Sequence, residues 1–167
     1  MTIIKSILIA FAMYSKIPLP MIDWDKRYMK YAICFFPLVG SIIGLIIFAF
    51  WKLQSFLNIG VFFRSVIILL IPILVTGGIH LDGLLDTSDA LNSYQPREKK
   101  LEILKDSNAG AFAIIVGICY FLLYFGVYSE LTAAGLPVVC MGFVLSRGMG
   151  AFSIASFPMA KNTGLAA

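Results

Sequence analysis

Apolar runs of helix length alternate with short charged stretches along this chain, and each run predicts one helix. The first, Ile3 to Tyr14, has Lys5 near its start and Lys16 just beyond its end. At about 1.5 Å rise per residue it is too short to cross roughly 30 Å of hydrocarbon, so it predicts an interfacial or re-entrant helix. Tyr31 to Trp51 is 21 residues without a charge and predicts a full span, with Trp51 at the headgroup level. Gly40 and Gly44 within it form a small-xxx-small pair that can admit another helix closely. The next run, Ser65 to Ile79, follows Arg64 and contains Pro72. It spans only if its ends are counted generously, or if the helix is broken and packed inside protein. A polar section, His80 to Asn108, then carries ten charged residues. Ala109 to Ser129 predicts another span, and Leu131 to Ala160 a last one, with Arg147 near its middle. Four spans and one surface helix make an all-α, polytopic membrane bundle, read as a single domain over 1–167 without repeats or low-complexity linkers.

Composition agrees. Apolar residues make up 60 % of the chain and charged residues 13 %, against roughly 45–50 % and about 25 % in soluble domains. So apolar a chain cannot clothe its surface with polar groups, and a lipid bilayer must be its solvent. The net charge of +4 is spread over loops rather than gathered in a stripe, which argues against a nucleic-acid partner. Lysines and arginines number four between the first helix and the first full span, two in the next loop, four in the polar section and none at Glu130. That alternation places the polar section on the cytoplasmic side of the cell (inner or plasma) membrane. Cys34, Cys119 and Cys140 lie in apolar runs with no metal-site or disulfide spacing and read as small apolar fillers. Met1 to Leu19 has lysines at both ends and no small-residue cleavage site before Pro18-Leu19-Pro20, so it reads as mature sequence.

The chemistry concentrates in Thr76 to Asp89. On a helix, Asp82, Asp86 and Asp89 stand at i, i+4 and i+7, which is one face. Like charges so placed repel by a few tenths of a kcal/mol per pair, roughly, unless a cation sits among them. Carboxylate oxygens select hard cations, and Mg²⁺ is usually held by one or two of them with substrate phosphates completing the shell. The bland alternative is a solvated acidic face; the adjoining span and glycine pair favour the metal. Gly77, Gly78 and Gly83 permit turns and close approach of a ligand, although a Gly-Gly pair equally marks the end of a membrane helix. His80, the only histidine, is either a structural hydrogen-bonding residue or, two residues before Asp82, a group that touches substrate or orders a carboxylate.

The second cluster, Arg97 to Asn108, predicts an amphipathic helix with Lys99 and Lys100 on a solvated face. Lys105 and Asp106 sit at the mouth of the next span, where a lysine can neutralise diphosphate oxygens and an aspartate can add a metal ligand or a base. Arg147 inside an apolar run costs roughly 2.5–3.5 kcal/mol on insertion scales, so it must face a carboxylate, an anionic substrate or water. A break at Gly148 and Gly150 that leaves it near the interface is the other reading.

Gly77-Gly-Ile-His-Leu-Asp-Gly-Leu-Leu-Asp-Thr-Ser-Asp89, followed by Arg97 and then Leu101-Glu-Ile-Leu-Lys-Asp-Ser107, resembles the signature of the cobalamin synthase (adenosylcobinamide-GDP ribazoletransferase) family. Lys16-Ile-Pro-Leu-Pro20, Phe36-Pro-Leu-Val-Gly40, Ser146-Arg147 and Gly164-Leu165 resemble its flanking sites. The resemblance implies a Mg²⁺-dependent transferase of the last steps of cobalamin biosynthesis. In it a hydroxyl of α-ribazole, or of its 5′-phosphate, attacks the diphosphate of adenosylcobinamide-GDP and GMP leaves. It implies Asp82 and Asp86 as metal ligands, Asp89 as ligand or base, and Lys105 and Arg147 as phosphate partners. Asp106 would share in catalysis, and Gly77, Gly78, His80, Gly83 and Ser107 would line the substrate site. Small corrinoid-nucleotide and α-ribazole substrates are the implied partners, and a homo-oligomer is left open.

Three positions depart from the family pattern: Asn108 for an arginine, Ala113 for a glycine and Lys161 for an arginine. Family members also usually continue into further membrane helix beyond the point where this chain stops, which makes a truncated chain the expectation. A membrane prenyltransferase also holds Mg²⁺ and a diphosphate between aspartates, but normally with two such motifs, and one is present. A CDP-alcohol phosphotransferase needs Ala-Arg where Leu85-Asp86 stands. A non-enzymatic cation transporter would place its aspartates mid-span instead of at a span's end.

Overall fold

The computed structural model describes residues 2–19 and 26–157, and these are helical without a strand. Pro20, Lys161, Gly164 and Leu165 lie outside the described residues. The chain forms two compact units, one of residues 1–59 with 132–167 and one of 60–131.

In the first unit, α1 (Thr2–Tyr14) is the short apolar helix the sequence predicts. It packs on α2 (Lys26–Ala32) through Ile9, Ala10 and Ala32, with Met13, Tyr28, Met29 and Phe35 around them. A single 3₁₀ turn, Ile33–Phe35, joins α2 to α3 (Phe36–Leu57). Pro37 falls at the start of α3, where its missing N–H costs nothing. The helical stretch Arg27–Leu57 covers 31 residues, ample for a bilayer. Asn58 ends it in a left-handed conformation that asparagine tolerates.

α8 (Leu136–Ser156) lies along α3. Lipid tails are as apolar as leucine, so burial alone gives two spans little reason to associate, and close packing must do it. Gly40 and Gly44 supply that closeness. A Cβ at Gly40 would collide with the carbonyl of Phe143, and one at Gly44 would lie 2.8 Å from the carbonyl oxygen of Cys140. Val39, Ile43 and Ile47 are wholly buried. α8 runs through Gly148 and Gly150 without a break, so Arg147 sits mid-helix and buried. Its guanidinium lies 5.4 Å from the centre of the Phe143 ring and donates to Ser146 Oγ at 2.9 Å.

The second unit begins with α4 (Val61–Thr76). At sixteen residues, or about 24 Å, it is short for a span. Pro72 does not break it: the helix continues, and Thr76 Oγ1 donates to the Pro72 carbonyl at 2.8 Å. The break comes at Gly77 and Gly78, with φ of +66° and +81°. There the chain turns by 91° into α5 (Ile79–Asn92). The Gly78 N–H reaches back to the Ile73 carbonyl at 2.9 Å, closing α4 in the manner glycine favours. Short α6 (Arg97–Ile103) and the long span α7 (Ala111–Ser129) follow. α7 packs on α4 and α5. Phe62 stacks on Phe125 with ring centres 6.2 Å apart, and Arg64 Nη2 donates to the Leu131 carbonyl at 3.4 Å.

Among the described residues three helices are long and apolar enough to cross a membrane, or four if bent α4–α5 counts as one span. Many large apolar side chains point outward, among them Leu45, Ile118, Leu122, Leu123 and Leu145, as lipid-facing helices require. All three cysteines are free thiols.

Candidate active site

The 91° elbow at Gly77–Gly78 carries the chain out of apolar α4 and into α5, which holds all three aspartates. Asp82 stands in its first turn, exposed, where a negative charge also complements the helix dipole. Asp86 follows one turn on, half-buried, and Asp89 another turn on, also half-buried. The helix therefore sets the three on one face, as the spacing predicts. Among the described residues no three His, Cys, Asp or Glu side chains come together as a cluster able to hold a metal ion. The donors at hand are the Asp82 and Asp86 carboxylates, one helical turn apart, the first exposed and the second half-buried. Two hard carboxylates are the kind of donor Mg²⁺ takes from protein, with other oxygens completing its shell.

Asp89 has a second occupation. Its Oδ2 accepts the N–H of Gly110 at 2.6 Å, and its Oδ1 accepts the N–H of Ala113 at 2.9 Å. Those amides belong to the N-cap and third position of α7, which has no side-chain cap of its own because residue 110 is glycine. One aspartate thus closes, from another helix, two amides that a local capping box would satisfy. Glycine at 110 leaves the carboxylate its place: a Cβ there would fall 2.8–2.9 Å from the Asp89 carboxylate atoms and would have to displace them. The sequence signal for this was a helix start without Ser, Thr, Asp or Asn at its N-cap, which says that a cap must come from elsewhere but not from where.

The α6–α7 connection carries the second cluster. α6 ends at Ile103, sooner than the amphipathic pattern through Lys105 predicts. Lys105, Asp106 and Ser107 lie exposed in the loop, whose far end the Asp89–Gly110 bond ties to α5. Asp106 Oδ1 accepts from the Asn108 backbone N–H at 3.0 Å and from its side-chain Nδ2 at 2.8 Å. These two bonds, the backbone one foremost, hold its carboxyl below the ordinary aspartate range. Lys99 pairs with Glu102 at 3.5 Å on the exposed side of α6, the solvated face expected of it.

His80 is the second residue of α5 and half-buried. Residues two apart on a helix do not share a face, so His80 stands on a different side of α5 from Asp82. Gly83 lies on α5 with nothing within 4 Å of where its Cβ would be. Packing therefore does not require a glycine there, although a helical interior disfavours one. Arg147 belongs to the first unit, on α8.

The cobalamin-5-phosphate synthase family model matches residues 6–167. The chain is 47 % identical to the adenosylcobinamide-GDP ribazoletransferase of Lachnoclostridium phytofermentans, over 98 % of this chain and 63 % of that protein. It is 37 % identical to the ribazoletransferase of Clostridium botulinum over 89 % of this chain and 60 % of that one. For that of Fusobacterium nucleatum the figures are 33 %, 96 % and 62 %. The chain thus spans less than two thirds of the length of these relatives. No solved structure matches it. With the family model matched over residues 6–167 and relatives up to 47 % identical across nearly the whole of this chain, the chain belongs to the cobalamin-5-phosphate synthase family.

Proposed function

We propose that the protein joins α-ribazole, or its 5′-phosphate, to adenosylcobinamide-GDP with release of GMP, at the cytoplasmic face of the cell membrane. The observation that carries this reading is the carboxylate face of α5, with Asp82 exposed, directly beyond the glycine elbow in a chain of this family. Asp82 and Asp86 would hold Mg²⁺ against the substrate diphosphate. The ion would supply neutralisation of charge on the oxygens of the attacked phosphorus and on the departing GMP oxygen. Lys105, on the loop tied to α5, would add a cation to the diphosphate oxygens. Gly83 would let the substrate come against the helix between the two carboxylates. Asp106, held ionised by Asn108, is an acceptor throughout the neutral range. Its proposed part is to receive the proton of the attacking hydroxyl or to bind through its carboxylate.

The test is to incubate membranes containing the full-length protein with adenosylcobinamide-GDP, α-ribazole and Mg²⁺ and to follow GMP. Release that requires Mg²⁺ and is lost in Asp82→Ala is expected. Absence of release from the wild type, or an Asp82→Ala variant as active as the wild type, would overturn the reading. For the orientation, a cysteine placed at Ser93 should resist a membrane-impermeant maleimide added from outside the cell membrane; labelling from that side would reverse the topology.

A further inference from the structure

We propose that Asp89 is a positioning residue rather than an ion ligand: by capping α7 across the chain it fixes the Lys105–Ser107 loop beside the acidic face of α5, acting through Gly110. The inference rests on the functional reading above for its catalytic consequence, but not for the cap itself.

Three observations carry it. Both oxygens of Asp89 already accept backbone N–H groups, from Gly110 and from Ala113. The helix they close has no cap from its own chain segment. And Gly110 is shaped to the carboxylate, since a Cβ there would overlap it. A carboxylate committed to two amides at a helix N-terminus is held by both hydrogen bonding and the dipole. Turning it outward to bind a cation would orphan both amides. Asp82 and Asp86, one turn apart on the same face, meet the usual Mg²⁺ need for one or two carboxylates without it. What Asp89 does instead is geometric. Its bonds to Gly110 and Ala113 span 21 and 24 residues of sequence. They set where the loop that bears Lys105, Asp106 and Ser107 ends relative to the aspartates on α5.

The full-length protein is compared with Asp89→Asn, Gly110→Ala and, as a reference for ion binding, Asp82→Asn. Gly110→Ala is the informative variant, because it disturbs the cap without removing any carboxylate from the chain. Three properties are read: amide hydrogen exchange at Gly110 and Ala113, affinity for Mn²⁺ as a spin-active stand-in for Mg²⁺, and kcat and KM for GMP release. Asp89→Asn and Gly110→Ala should both speed exchange at the two amides, by about tenfold or more. Both should lower kcat by roughly 10–100-fold, the usual cost of losing an orienting partner. Both should keep Mn²⁺ affinity within about twofold of wild type, whereas Asp82→Asn should weaken it by about tenfold or more.

If Asp89→Asn weakens Mn²⁺ as Asp82→Asn does, Asp89 is a ligand and the proposal fails. It fails equally if Gly110→Ala keeps wild-type kcat while Asp89→Asn loses it. A wild type that releases no GMP sinks the ribazoletransferase reading alone. The cap is then judged by exchange, and unchanged protection of Gly110 and Ala113 in Asp89→Asn overturns it.

Discussion

Gly40 of α3 and Phe143 of α8 bring two helix backbones together so closely that any side chain at residue 40 would run into the Phe143 carbonyl. Gly44, one turn on, repeats the arrangement against Cys140. The neighbours here are main-chain atoms of a helix, which cannot swing aside as a side chain would. Gly40→Ala should therefore force the helices apart and destabilise the first unit by about 1–3 kcal/mol, the usual range for overpacking. Gly44→Ala should act in the same direction. Gly142, also in α8, has nothing within 4 Å of its would-be Cβ, so Gly142→Ala should be neutral or stabilising. Thermal unfolding of the three variants in one detergent checks the order; a Gly40→Ala variant as stable as Gly142→Ala would contradict it.

The elbow at Gly77–Gly78 is a backbone matter. Gly78 holds φ +81° with open space around it, so the objection to a side chain there is conformational and not steric crowding. Gly78→Ala should cost about 1–2 kcal/mol, the left-handed penalty of an L-residue. Gly78→Asn should cost less, since asparagine enters that region more readily. Comparing unfolding midpoints of the two variants with wild type tests this; equal losses would mean that crowding matters after all.

Gly83 separates stability from function. With nothing near its would-be Cβ, Gly83→Ala should raise helix stability by roughly 0.5–1 kcal/mol. If substrate comes against α5 between Asp82 and Asp86, the same methyl should obstruct it and raise KM by about tenfold, a loss of roughly 1.4 kcal/mol in binding. A more stable variant with wild-type KM would move the substrate off this face.

Asp106 gives a pH dependence with a definite sign. Its folded pKa is lowered by the Asn108 backbone and side-chain bonds, so the turn they make is supported above the ordinary aspartate value of 3.8. That support is lost as pH falls through the lowered folded value. The Asp106 carboxyl carbon, followed by NMR in micelles, should titrate below 3.8 in wild type and rise only part of the way toward 3.8 in Asn108→Ala, which loses the side-chain bond but keeps the backbone N–H. Titration at the ordinary value in both proteins would show that the turn is not populated.

The sequence by itself determined the apolar helices, the close-packing pair Gly40 and Gly44, and the common face of Asp82, Asp86 and Asp89. Each is a local property: an apolar run long enough for a bilayer, or a spacing that 3.6 residues per turn converts into a face. Local reasoning also offered Pro72 and Gly77–Gly78 as rival places for a break, and only the structure chose. A proline removes one hydrogen bond that a packed helix can forgo, whereas two successive left-handed residues turn the chain through 91°. The position of His80 off the face of Asp82 needed α5 to begin before the histidine. The second occupation of Asp89 needed more still. Its amide partners lie 21 and 24 residues away, and no periodicity within α5 carries information about a helix that starts at Ala111. The aspartates' spacing was written in the chain; which of them is engaged as a cap was decided when α5 packed against α7.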